Sequence, residues 1–148
     1  MQNNCDEIKF VLIDGNCLQC SMLARAISRS KRLVGVTVLA QQQTQVAAAI
    51  SLLSTKMPLP HTVYVITENK ILHASKGIFL VAEAMGYPYK LIGIGRVLPL
   101  WFTDRCYYWW AQHRYRVLPK AKSCHFTPLT QQELTLLRTL LLEGYKES

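Results

Sequence analysis

Asp14, Cys17 and Cys20 stand near the start of the chain, in the stretch Ile-Asp-Gly-Asn-Cys-Leu-Gln-Cys. Two thiols three residues apart can exchange a disulfide, supply half of a metal site, or pack as small hydrophobes. Exchange needs a thiolate, and a free cysteine at neutral pH is mostly protonated. At the first turn of a helix, unpaired backbone N–H groups and the positive end of the helix dipole favour the anion. The local pattern predicts that position for Cys17. Asn16 reads as a helix cap with Gln19 as its capping-box partner, and Cys20, Leu23, Ala24 and Ile27 follow as one buried stripe. Cys17 is then expected at the exposed tip as the nucleophile, and Cys20 as the thiol that resolves a mixed disulfide. Resolution costs Cys20 a proton, which Asp14 is close enough to accept. The plainer alternative is that Asp-Gly forms a turn whose carboxylate bonds the loop backbone.

A zinc site needs four ligands. Cys106, Cys124 and the scattered His61, His73, His113 and His125 offer no second closely spaced pair at the usual zinc intervals, Cys124 and His125 being adjacent, so neither a metal nor a cofactor is expected.

The elements that must hold these residues are legible in part. At 148 residues, half of them hydrophobic, the chain suits one domain with a real core. A strand over Lys9 to Ile13 precedes the first helix. Leu33 to Leu39 is so continuously apolar that it predicts a central parallel strand. A helix from about Gln45 to Leu53, capped by Thr44, stops at Met57-Pro58-Leu59-Pro60. Strands Val63 to Thr67 and Lys70 to His73 form a hairpin, and Ser75 caps a third helix ending at Gly86. The expected order is β-α-β-α-β-β-α over about residues 8–86, with a helical extension over about 87–148. In that extension Arg96 to Pro99 separates two helices, Thr103 to Leu118 is aromatic and basic, and the capping box Thr130-Gln131-Gln132-Glu133 opens a last helix with Leu134, Leu137 and Leu141 inward.

Charge is unevenly spread. The formal net charge is +8, and between Gly86 and His125 seven basic residues (Lys90, Arg96, Arg105, Arg114, Arg116, Lys120, Lys122) face one acid, Asp104. The start lacks the basic and apolar regions of a secretory signal, and the five cysteines are odd in number, so a cytoplasmic protein with reduced thiols is expected. Leu33 to Thr55 carries no charge, but the glutamine-rich run in its middle argues against a membrane span.

The chain resembles the DCC family of thiol-disulfide oxidoreductases, named for an Asp-x-x-Cys-x-x-Cys motif that Asp14, Cys17 and Cys20 match. Thr62-Val63-Tyr64-Val65 with Lys70-Ile71-Leu72 resembles the family's hairpin. Val97-Leu98-Pro99 with Asp104 and Tyr107, Trp109 and Ala111 with Arg114-Tyr115-Arg116, and Cys124 with Thr127-Pro128 resemble later blocks. His113 replaces a usual Asn, Leu118-Pro119 a usual Phe-Gly, and Ser75-Lys76 a common Asp-Ala. The resemblance implies an α/β, thioredoxin-like fold and redox chemistry at the cysteine pair. It also makes Pro60 the nearest candidate for the cis-proline that such domains set opposite their cysteines, the plainer alternative being an ordinary trans loop proline. Pro60 and Arg114 are the candidate substrate-binding residues.

The expected partners are a protein or small-molecule disulfide and a separate reducing partner. The block Cys106 to Arg116 is better read as a helix packed on the core, with Arg114 bonding a carbonyl or carboxylate at the seam, than as a nucleic-acid surface. An anionic membrane surface is a further contact the charge allows. The alternative function is a basic protein- or nucleic-acid-interaction module whose cysteines are structural or metal-binding. A metal-dependent nuclease built on Asp14 would need several gathered carboxylates, and only nine acids are present.

Overall fold

The structure, a computed structural model, describes residues 8–51, 62–68, 70–118 and 129–143. Strand β1 (Ile8–Ile13) is apolar except for Lys9, which pairs with Glu68 at 2.8 Å, and its apolar side chains are buried on both faces. Val11 and Ile13 enter one core cluster, Phe10 and Leu12 the other, as alternation in a strand requires. A register shift between Ile8 and Phe10 turns Ile8 to the Val11 side. Helix α1 (Leu18–Arg29) follows β1, and β2 (Thr37–Ala40) pairs with β1 in parallel, Ile13 opposite Ala40. After α2 (Thr44–Ser51), β3 (Tyr64–Thr67) pairs antiparallel with β1 and with β4 (Ile71–His73). The sheet order is β2-β1-β3-β4, so the sheet is mixed.

Then come α3 (Ala74–Met85), a 3-10 segment (Tyr89–Val97), α4 (Leu100–Val117) and α5 (Gln131–Glu143). This is a mixed α/β fold with a four-stranded sheet and five α-helices among the described residues, consistent with a thioredoxin-like class. One core holds Ile27 of α1 and Val81 of α3 against Val11 and Val65. The other holds Val46 of α2 and Leu137 and Leu141 of α5 against Phe10, Leu12 and Ile66.

Several boundaries differ from expectation, each for a tertiary reason. The second strand lies at the sheet edge, not its centre, and begins at Thr37. Gly35, at φ +93, sets a turn in which the Val36 N–H donates to the Leu33 carbonyl, so Leu33 is apolar because it packs beneath α1 and not because it is strand. Thr44 is the first residue of α2 rather than its cap. Ser75 lies inside the first turn of α3, where it donates to Asp104 of α4, and His73 stands at the cap position. Helix α4 begins at Leu100 rather than Thr103, with Pro99 as its N-cap, whose carbonyl accepts from the Phe102 and Thr103 N–H groups at 2.9 and 3.2 Å. Gly86 ends α3 as expected, at φ +78. The last capping box also forms: the Thr130 N–H donates to Glu133 Oε2 at 2.9 Å and the Glu133 N–H to Thr130 Oγ1 at 3.3 Å. Pro60 falls outside the described residues.

Leu137 is completely buried and ties α5 to the sheet. Leu137→Ala is expected to cost about 2–5 kcal/mol in urea unfolding, against under about 0.5 kcal/mol for a surface change. A cost no larger than that of Leu136→Ala, at an exposed position of the same helix, would show that α5 does not brace the sheet.

Candidate active site

The carboxyl end of β1 delivers Asp14 into the interior, where its exposure is 1%. Its Oδ1 accepts from the Asn16 N–H at 3.0 Å and from Gln42 Nε2 at 2.7 Å, and its Oδ2 accepts from Arg114 Nη2 at 3.0 Å. Gln42 closes the loop by accepting from the Gly15 N–H at 2.8 Å through Oε1. The turn-forming bond to the backbone therefore exists, and an ion pair exists beside it. Arg114 and Asp14 keep only 4% and 1% of their side-chain surface, so each charge has lost its water and depends on the other.

Cys17 and Cys20 lie near each other, both as free thiols. Cys17 is not the first helical residue but the N-cap of α1, in an extended conformation with no side-chain cap hydrogen bond. Asn16, expected there, is spent on the turn with Asp14. Gln19, expected to complete a capping box, accepts instead from Trp110 Nε1 of α4 at 2.8 Å. That contact also bears on the second correction: Cys17 is 3% exposed, where an exposed tip was expected. Helix α4 crosses the start of α1, and Cys17 joins the core cluster that holds Val63 and Val65.

Cys20 is the more deeply constrained thiol. Burial pushes its pKa up to about 12, negative charge at Cys17 pushes the same way, and Arg114 and a hydrogen bond from the Asp14 backbone oppose them. Arg114 Nη1 lies 3.6 Å from Cys20 Sγ. One guanidinium thus touches both the carboxylate and the second thiol, a use of the planar fork that lysine could not copy. Tyr107, one helical turn and more before Arg114, accepts from the Val63 N–H through its hydroxyl at 3.1 Å, and burial raises its pKa. Among the described residues, no three His, Cys, Asp or Glu side chains gather as a metal site would need.

Sequence spacing brought Asp14, Cys17 and Cys20 together, and the seam expected at Arg114 closes on Asp14. Gln42, Tyr107 and Trp110 were missed. A signal for Gln42 was present: in a parallel pair the loops after both strands lie at the same edge, so the residues after Ala40 must neighbour those after Ile13.

Removing one partner of the buried pair, by Asp14→Asn or Arg114→Gln, is expected to cost about 3–5 kcal/mol. The double variant should cost less than the two together, which chemical unfolding in a double-mutant cycle measures; strict additivity would deny the coupling. The Cys20 shift has a sign as well. The folded thiol keeps its proton to about 12 while the unfolded one loses it near 9.0, so the folded reduced state binds more protons in that window. Stability of the reduced protein should therefore be whole below 9.0 and fall as pH rises towards 12, and Cys20→Ala should flatten the fall.

Residues 11–120, well over half of the chain, match the sequence profile of the DCC1-like thiol-disulfide oxidoreductases, a span that includes Asp14, both cysteines and Arg114. No curated protein matches the chain, and no solved structure does. The profile match ends short of α5, but it covers every side chain named in the site, and on it the chain belongs to the DCC1-like thiol-disulfide oxidoreductase family.

Proposed function

We propose that the protein exchanges disulfides through Cys17 and Cys20 within one thioredoxin-like domain. The observation that carries this reading is the contact of Arg114 with Cys20 Sγ at 3.6 Å, held in place by Asp14. Besides its ion pair with Asp14, the guanidinium stands where it favours the anionic form of Cys20.

The roles follow from the surroundings. The helix behind Cys17 lacks a side-chain acceptor at its N-cap, so a Cys17 thiolate would receive the first-turn N–H groups that a serine or aspartate takes in other helices. That thiolate attacks one sulfur of a substrate disulfide; the substrate S–S bond breaks, one substrate thiolate leaves and takes a proton from solvent, and a mixed disulfide to Cys17 remains. Cys20 then loses its proton to solvent and attacks the Cys17 sulfur; the Cys17–substrate S–S bond breaks as the Cys17–Cys20 bond forms, and the second substrate thiolate leaves and takes a proton from solvent. The substrate gains two electrons and the Cys17–Cys20 pair loses two. A separate dithiol partner returns the protein to its reduced form, and the relative potentials set the direction. Donors already occupy both oxygens of Asp14, so we give it the task of aiming Arg114 rather than of receiving the Cys20 proton, and we give Arg114 the task of steadying the Cys20 thiolate rather than of holding substrate. The substrate is a protein or small-molecule disulfide able to reach a sulfur of low exposure.

A redox titration in dithiol/disulfide buffers, with alkylated peptides read by mass, tests this. Cys17 and Cys20 are expected to convert together, reversibly, at one potential. Cys20→Ser should trap a mixed disulfide on Cys17, Cys17→Ser should abolish exchange, and Arg114→Gln should slow resolution by about tenfold or more while leaving the first attack intact. If the pair never closes, or if replacing both cysteines leaves function unchanged, the chain is a basic interaction module instead.

A further inference from the structure

Away from the thiols, the surface holds one concentration of apolar side chains. Of the seventeen large hydrophobics exposed among the described residues, ten fall between Tyr87 and Phe102, eight of them in the 3-10 segment and the first turn of α4 and two, Tyr87 and Leu98, beside them. The segment leans on α3 by its smallest residue: a Cβ on Gly95 would come within 3.2 Å of the Phe79 ring. With that small face inward, the large side chains are left outward. Leu91, Ile94 and Val97 are 54, 64 and 86% exposed, Tyr87 81% and Trp101 71%. Single exposed apolar residues are ordinary, whereas a contiguous group marks a surface that meets something.

Charge identifies the partner. From Ala84 to Thr103 the chain has no acid, and Lys90 and Arg96 lie within the run. Beside it, Tyr89 and Met85 share an open pocket of about 500 Å³ with Met22, Arg25 and Arg29 of α1. Arg32 lies against Gly86 at the end of α3. An apolar and aromatic run bordered by arginines and free of carboxylates has the composition of segments that lie in a membrane interface. Nucleic acid would be attracted by the arginines but would gain nothing from Ile94 and Val97. No helix among the described residues is long and apolar enough to cross a bilayer, so such contact would lie in the interface plane.

We propose that the surface from Tyr87 to Phe102 docks on an anionic lipid bilayer. Leu91, Ile94, Val97 and Trp101 enter the boundary between headgroups and acyl chains, and Arg25 and Arg29 meet lipid phosphates. The proposal stands independently of the thiol chemistry.

Cosedimentation of the whole protein with vesicles of phosphatidylcholine, alone or with about one-quarter phosphatidylglycerol, tests it. The protein is expected to pellet with the anionic vesicles and to be released by salt, and brominated lipids should quench tryptophan emission less in Trp101→Phe. Leu91→Asp with Ile94→Asp should weaken partition by at least about tenfold with circular dichroism unchanged, and Arg25→Gln with Arg29→Gln should weaken only the anionic-lipid component. Failure to pellet at low salt would overturn the proposal. So would equal pelleting of both double variants and the parent. A dimer in velocity sedimentation that Leu91→Asp with Ile94→Asp dissociates, with bare vesicles, would give the surface to a second copy and overturn it too.

Discussion

The arrangement rests on one buried ion pair. Asp14 and Arg114 are 100 residues apart in the chain, and neither has water to fall back on. In a low-dielectric interior such a pair tolerates little misplacement, because losing the partner leaves a bare charge. It therefore fixes how α4 lies across the start of α1. The lesser contacts between these parts run in parallel with it: Trp110 to Gln19, and Tyr107 to the backbone at Val63. The environment of Cys20 follows from that placement, since the helix that carries Arg114 brings its guanidinium to that thiol.

The sheet divides the molecule into two sides with different work. The side of α1, α3 and α4 carries the polar, hydrogen-bonded site. The side of α2 and α5 is, among the described residues, mainly apolar packing, and α5 lies beyond the residues that match the family profile. The β1 strand serves both: its side chains build two cores, and its last residue leads into Asp14. The rigidity that the site needs thus comes from a strand pinned on both faces, and the site itself sits where that strand ends.

What could be read from the sequence was what is decided within about one helical turn or one strand. The apolar run of β1, the stripe from Cys20 to Ile27, the stop at Gly86 and the box of Thr130 with Glu133 depend on near neighbours. The failures share the opposite property. Asn16, Gln19 and Ser75 are good capping residues locally, yet Gln19 and Ser75 are claimed by side chains of α4, and Asn16 by the turn at a carboxylate that α4 anchors. Cys17 was expected at an exposed tip because its helix was considered without the core that buries its start. Leu33 to Val36 read as strand because burial and strand propensity leave the same apolar signature, and Gly35 was the residue that distinguished them. Arg114 was the exception: its stripe on α4 pointed to a buried seam, and only its partner's identity required the fold.

The separation of Arg114 from Cys20 by 94 residues also orders events in time. A ribosome adds about 5–20 residues each second, so the two thiols exist for roughly 5–20 seconds before their guanidinium has been made. During that interval the cysteine pair belongs to a nascent chain whose Asp14 has not yet met Arg114. The complete cluster can form only after the sheet has closed and the fourth helix has been made, which couples the chemistry of the thiols to the synthesis of α4.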